Sequence, residues 1–163
     1  MTIAVPLLPY SVDTSALIDG LERYYFEDAF PGIWGKVWEL VAADRFFISE
    51  EVWEEAQKKT GVVKAWCEQD TTGKLIVPTN GAIAREVKAI LAGTPKMVMN
   101  MRGRNRADPF VLAVARLRGA TAVTGEGSDG TEDRPKIPFV CGKLGIPCKT
   151  FSELIRIEGW RFG

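Results

Sequence analysis

The stretch PYSVDTSALID, residues 9 to 19, contains a short apolar run that ends on an acid. Tyr10 to Val12 suit a strand, and Asp13, Thr14 and Ser15 interrupt before a helical pattern of Leu17, Ile18 and Leu21 begins. A carboxylate that closes a buried strand is costly without a partner, so Asp13 is the first candidate for chemistry. Three other segments carry acids in comparable places. Glu50, Glu51, Glu54 and Glu55 open the helix after a second strand, Asp108 stands directly before Pro109 at a helix start, and Glu126 comes just after AVT. Each has a plainer explanation: a helix cap for Asp108, a solvated helix face for the glutamates, a loop acid for Glu126. Gathered at one sheet edge, however, they would repel one another unless a cation lay between them. Oxygen ligands without imidazole or thiolate favour a hard ion, Mg²⁺ or Mn²⁺.

Periodicity narrows the choice among the glutamates. Val52, Trp53 and Ala56 mark the apolar side of their helix. At roughly 100° per residue, Glu55 lies near the edge of that side, level with Glu50, while Glu51 and Glu54 point away. Glu50 sits at the helix start, where the dipole already favours an acid. Glu55 is the candidate ligand, with Glu51 and Glu54 as alternatives.

What the chain lacks also restricts its chemistry. It has no histidine, which excludes Ser-His-Asp and Cys-His catalysis, imidazole zinc sites and histidine acid–base work. Its three cysteines (Cys67, Cys141, Cys148) form no CxxC. An odd number argues against a disulfide framework, so reduced, partly buried thiols in a cytoplasmic setting are expected. The 163 residues are 46% hydrophobic and 26% charged with net charge zero. That is ordinary for a globular domain and supplies no global attraction to nucleic acid or an anionic membrane. No basic segment followed by an apolar stretch opens the chain, so no signal peptide is expected. No apolar run approaches the roughly 20 residues that span a bilayer.

The positioning elements follow from pattern. Helices are expected over 15–25, around Ile33–Val41, over 50–59 and Val63–Gln69, and over 79–92 with Thr79 or Asn80 as cap. Residues 93–107 look irregular. DPFVLAVARLRG then predicts a helix with Asp108 as N-cap, Pro109 in first position and a stop at Gly119. Strands are expected at 10–12, FFIS (46–49), ATAVT (120–124) and IPCKT (146–150), with helices at IPFVCGKLG and FSELIRIEGW. Strands alternating with helices imply βαβ units, a mainly parallel sheet and one α/β domain over residues 1–163. In such sheets ligands bind beyond the carboxyl ends of the strands, where the four acid segments would meet.

At these residues the chain resembles the PIN-domain nucleases, the fold of VapC-type toxins. The resemblance rests on VDTSALID (Asp13), FISEEVWEEA (Glu55) and ADPFVLAVARLRGATAVTGE (Asp108 and Glu126), in the family's order and spacing. The tail KIPFVCGKLGIPCKTFSELIRIEGWRF is similar to a PIN-like branch known only as a domain of unknown function. Glu126 departs from the Asp of many relatives and has a longer reach.

The resemblance implies a three-layer α/β/α domain and a metal-dependent endoribonuclease that hydrolyses RNA phosphodiester bonds in the cytoplasm. Asp13, Glu55, Asp108 and Glu126 would hold Mg²⁺ or Mn²⁺, and Thr14, Ser15 and Thr124 match supporting hydroxyl positions. As a toxin it would have a cognate antitoxin, and homodimers are usual among such domains. A polyanion approaching acids needs flanking cations, for which Arg102, Arg104 and Arg106 of RGRNR are the best candidates and Arg134 and Lys136 weaker ones. The tryptophans fall at core spacing and are read as packing. Two rivals remain for comparison. One is an inactive PIN-like module that binds RNA or protein. The other, a haloacid-dehalogenase-type phosphatase, wants a second Asp two residues after the first, where this chain has Ser15.

Overall fold

A five-stranded parallel sheet organises the computed structural model, which describes residues 8–99 and 106–163. Its strands are β1 (Tyr10–Val12), β2 (Phe46–Ser49), β3 (Ile76–Val77), β4 (Thr121–Val123) and β5 (Cys148–Lys149), in the order β3-β2-β1-β4-β5. β1 is central, as expected of an all-buried YSV triplet. The helices are α1 (Thr14–Ile18), which continues as a π-helical turn over Asp19–Tyr24, then α2 (Pro31–Ala42), α3 (Glu50–Lys59), α4 (Gly61–Cys67) and α5 (Gly81–Gly93). They continue with α6 (Lys96–Met99), α7 (Asp108–Arg118), α8 (Ile137–Leu144) and α9 (Phe151–Glu158). This is the three-layer α/β/α arrangement with a parallel sheet that the alternating pattern predicts.

The pleat of β2 shows both faces at work, since successive strand residues point to opposite sides. Phe46 packs on Trp66 of α4, with ring centroids 6.1 Å apart. Phe47 points the other way, under the Arg118 guanidinium of α7 at 4.6 Å. On the Phe46 side, Trp34 stacks on Phe151 at 5.2 Å and Trp38 on Trp66 at 4.5 Å, so these tryptophans are packing residues. Gly20, in the π-helical turn, is needed there: an added Cβ would lie 2.9 Å from the Trp34 ring. On the other face, the Ser11 hydroxyl donates to the Val111 carbonyl of α7 at 2.9 Å, tying the central strand to the helix that carries Asp108.

Several local expectations need correction. The helix over 15–25 starts one residue earlier and widens into its π segment at Asp19. α4 begins at Gly61, capped by Thr60; of the two caps expected for α5, Asn80 is the one that holds it. Two elements have no counterpart in the sequence pattern: the two-residue β3, and α6 within the stretch read as irregular. Asp108 is not the N-cap of α7. Ala107 holds that position, and Asp108 is the first helical residue, without a side-chain capping bond. Gly119, at φ +62, ends α7 in the left-handed conformation glycine adopts without strain. The cysteines are free thiols, with Cys67 and Cys141 buried and Cys148 half-buried. Among the described residues no helix is long and apolar enough to cross a membrane.

At the opposite end of the sheet, the last helix is tied to the first strand. The Tyr10 hydroxyl donates to Glu158 Oε2 at 2.6 Å, and Arg45 donates to both carboxylate oxygens at 2.9 and 2.6 Å. Burial opposes ionisation of Glu158, yet hydrogen bonds from Arg45 and Tyr10 outweigh it and hold its pKa below the ordinary value. Its contribution is therefore present above the unfolded-state pKa and lost as pH falls through the lowered folded value. Glu158→Ala, which strands the Arg45 charge, is expected to cost roughly 3 kcal/mol at pH 7 by denaturant unfolding, with the gap to the parent closing in acid.

Candidate metal centre

The connectivity creates the site. From β1 the chain builds outward to β2 and β3 on one side, then crosses back so that β4 pairs on the other side of β1, with Val12 opposite Val123. Between β1 and β4 the order reverses, and that is where parallel sheets open a crevice beyond their carboxyl ends. Asp13 leaves β1 there, its backbone N–H bonded to the Val123 carbonyl at 2.8 Å. Thr124, Gly125 and Glu126 leave β4 beside it. The N-terminus of α7 brings Asp108 to the same point.

Carboxylate oxygens of Asp13, Asp108 and Glu126 lie within 4.8 Å of one another. Asp13 and Asp108 are each only 3% exposed. Asp13 is held by two hydroxyls: Ser15 donates to its Oδ2 at 2.5 Å and Thr124 to the same oxygen at 3.2 Å. Ser15 in turn accepts from the Gly125 N–H at 2.9 Å, locking the β1 exit to the β4 exit. Glu126 accepts from the Ile137 N–H in the first turn of α8 at 2.8 Å. Asp108 differs from both. Its Oδ2 is buried and has no hydrogen-bond partner among the described residues.

These contacts decide the protonation. Burial raises the pKa of Asp13, and the Ser15 and Thr124 hydrogen bonds only partly offset it. Burial raises Glu126 too, opposed by the Ile137 N–H and reinforced by the Asp13 charge. Asp108 has no such relief. Burial first, then the charges of Asp13, Glu126 and Glu55, push it up to about 10. A buried acid with an unpartnered oxygen, facing two other carboxylates, lacks a positive charge, and a divalent cation supplies one. The donor set is all oxygen, which fits a hard ion.

Glu55 lines the same small cavity with Asp13, Thr14, Ser15, Asp108 and Glu126. Its carboxylate accepts from Lys59 Nζ at 2.5 Å, so it borders the three-acid cluster as half of an ion pair. Burial raises its pKa, the Lys59 contact lowers it and the Asp13 charge raises it again. The alternatives turn elsewhere: Glu51 accepts from the Thr79 hydroxyl, and Glu54 is exposed. Thr14 is buried beside the acids with its hydroxyl unpartnered.

Of the expected cations, Arg106 is described and lines the neighbouring cavity, whereas Arg102 and Arg104 lie outside the described residues. Lys136 pairs with Asp129 at 2.7 Å, and its charge also lowers the Glu126 pKa. Lys59 was missed in the sequence, although its spacing of four from Glu55 was a readable signal.

The family model for a domain of unknown function (DUF4411) matches residues 10–162. The chain belongs to this family. The match covers β1 through the segment beyond α9, so the whole site lies within it. No curated protein matches the chain. In this chain, the carboxylate cluster is the feature from which a function can be argued.

Proposed function

We propose that this member of the family is a metal-dependent endoribonuclease of the PIN type. The observation that carries the reading is the unpartnered, buried Oδ2 of Asp108 within a cluster of three carboxylates at the topological switch point. Asp13, Asp108 and Glu126 would hold Mg²⁺ or Mn²⁺, with Glu55 as a further acid at the edge. An ion held there would supply Lewis acidity, activating a water and offsetting charge that develops on a phosphodiester. The protein's own residues do the rest. Ser15 and Thr124 fix the orientation of Asp13, the Ile137 N–H fixes Glu126, and Lys59 brings a cation to the cavity wall.

The preference for RNA, a toxin role restrained by a cognate antitoxin, a cytoplasmic setting and a homodimer are supported by the resemblance of the motifs around Asp13, Asp108 and Glu126 to PIN-domain toxins. The deciding experiment incubates the purified full chain with a mixed RNA pool in Mg²⁺, in Mn²⁺ and in chelator. Endonucleolytic products with either metal and none with chelator are expected. Cleavage that survives chelation, or RNA binding with no cleavage under either metal, would overturn the nuclease reading; the second result would favour an inactive binding module.

A further inference from the structure

Beside the acidic cavity lies a larger one of about 460 Å³, walled by α3 and the start of α7, and the two share Glu55 and Lys59. Its volume falls within the roughly 300–1,000 Å³ typical of small-ligand sites. Phe110, two residues beyond Asp108 on α7, is half-buried in its wall. Other aromatic residues of this protein are occupied with one another, as Trp34 is with Phe151 and Trp38 with Trp66. Among the described residues no ring or cation stacks on Phe110. Arg106 and Lys58 line the same cavity, both exposed, and neither has an ion-pair partner among the described residues. Of the three acids in the wall, Glu55 is paired with Lys59 and Glu51 accepts from the Thr79 hydroxyl, while Glu54 is exposed to solvent.

An apolar ring face next to two uncommitted cations suits a base and its phosphate. We infer that this cavity seats one unpaired nucleotide of the RNA substrate, its base stacked on Phe110 and its phosphate against Arg106 and Lys58, next to the bond placed at the carboxylate cluster. The inference rests on the nuclease reading for the identity of the substrate. A paired base cannot enter a side cavity without leaving its stack, so the base seated there is an unpaired one.

The test uses the full chain in chelator, so that binding is read without turnover. A labelled single-stranded oligoribonucleotide and the same strand annealed to its complement are titrated by fluorescence anisotropy against the parent, Phe110→Leu, Phe110→Trp and the pair Arg106→Gln with Lys58→Gln. Thermal melts identify any variant that fails to fold. Stacking on an aromatic ring predicts about a tenfold loss of single-strand affinity for Phe110→Leu and retention for Phe110→Trp. The double Gln variant should flatten the salt dependence, and the parent should bind duplex more weakly than single strand. A folded Phe110→Leu within about twofold of the parent, or duplex bound as tightly as single strand by the parent, overturns the inference. Metal-dependent cleavage that is indifferent to Phe110 would leave the nuclease reading standing without this pocket. The expected binding pattern without cleavage in any metal would do the reverse.

Discussion

Asp108→Asn is expected to make the metal-free protein more stable and the nuclease inactive. Asp108 is buried among Asp13, Glu126 and Glu55, and its pKa is pushed from the ordinary carboxylate range up to about 10. In the unfolded chain it ionises freely; in the fold it cannot. A folded pKa above the unfolded one means that the native state binds the extra proton, so the group is harmless below the unfolded pKa. Its cost grows as pH rises from about 4 towards 10. At pH 7 relief of that cost amounts to about 2–4 kcal/mol, larger than the roughly 0.3–1 kcal/mol an acid gains in the first turn of a helix. Asparagine has nearly the same shape and no charge, so the variant should unfold at higher denaturant. The difference should widen between pH 5 and 9 and shrink in saturating Mn²⁺, which stabilises only the parent strongly. Metal-dependent cleavage should fall at least about a hundredfold. A variant no more stable than the parent at pH 8 would contradict the charge-crowding account. Full metal-dependent cleavage by it would remove Asp108 from the site.

Asp13→Asn should weaken metal binding more than the loss of either hydroxyl that supports Asp13, and a graded series shows why. Asp13 Oδ2 accepts from both Ser15 and Thr124. An asparagine that turns its oxygen to the hydroxyls presents an amide to the cation, which neither binds nor neutralises it. Ser15→Ala leaves the carboxylate but frees it to rotate and opens the bridge to Gly125. Losing such a supporting contact costs roughly 10–100-fold in metal affinity or activity; losing the ligand itself should cost more. Mn²⁺ titration by calorimetry is therefore expected to rank parent, Ser15→Ala and Asp13→Asn in decreasing affinity. Equal affinity of parent and Asp13→Asn would refute the metal centre.

Much of this was legible in the chain. The apolar run closing on Asp13, the spacing of Val52, Trp53 and Ala56 that points to Glu55, and the Pro109-to-Gly119 bracket around α7 are local signals. They follow from backbone geometry and helical period, which sequence encodes directly. The absence of histidine restricts the chemistry without any structure. Strands alternating with helices predict a parallel sheet because parallel neighbours need a crossover between them.

Tertiary structure decided the rest, because those features depend on contacts between residues far apart in the chain. The return of β4 to pair with β1 is a long-range choice, and it brings Thr124 to Asp13 across 111 positions. β3 is two residues long and exists only because β2 offers it an edge, so no periodicity could announce it. Asp108 before Pro109 looks like a cap on local grounds. It is the first helical residue because Ala107 takes the cap position, and burial together with the charges of Asp13 and Glu126 raises its pKa far above the ordinary carboxylate range. The sequence determined which residues carry carboxylates and where their strands and helices begin. Only the packed chain decided which acids meet, which are satisfied, and that Asp108 Oδ2 has no hydrogen-bond partner among the described residues.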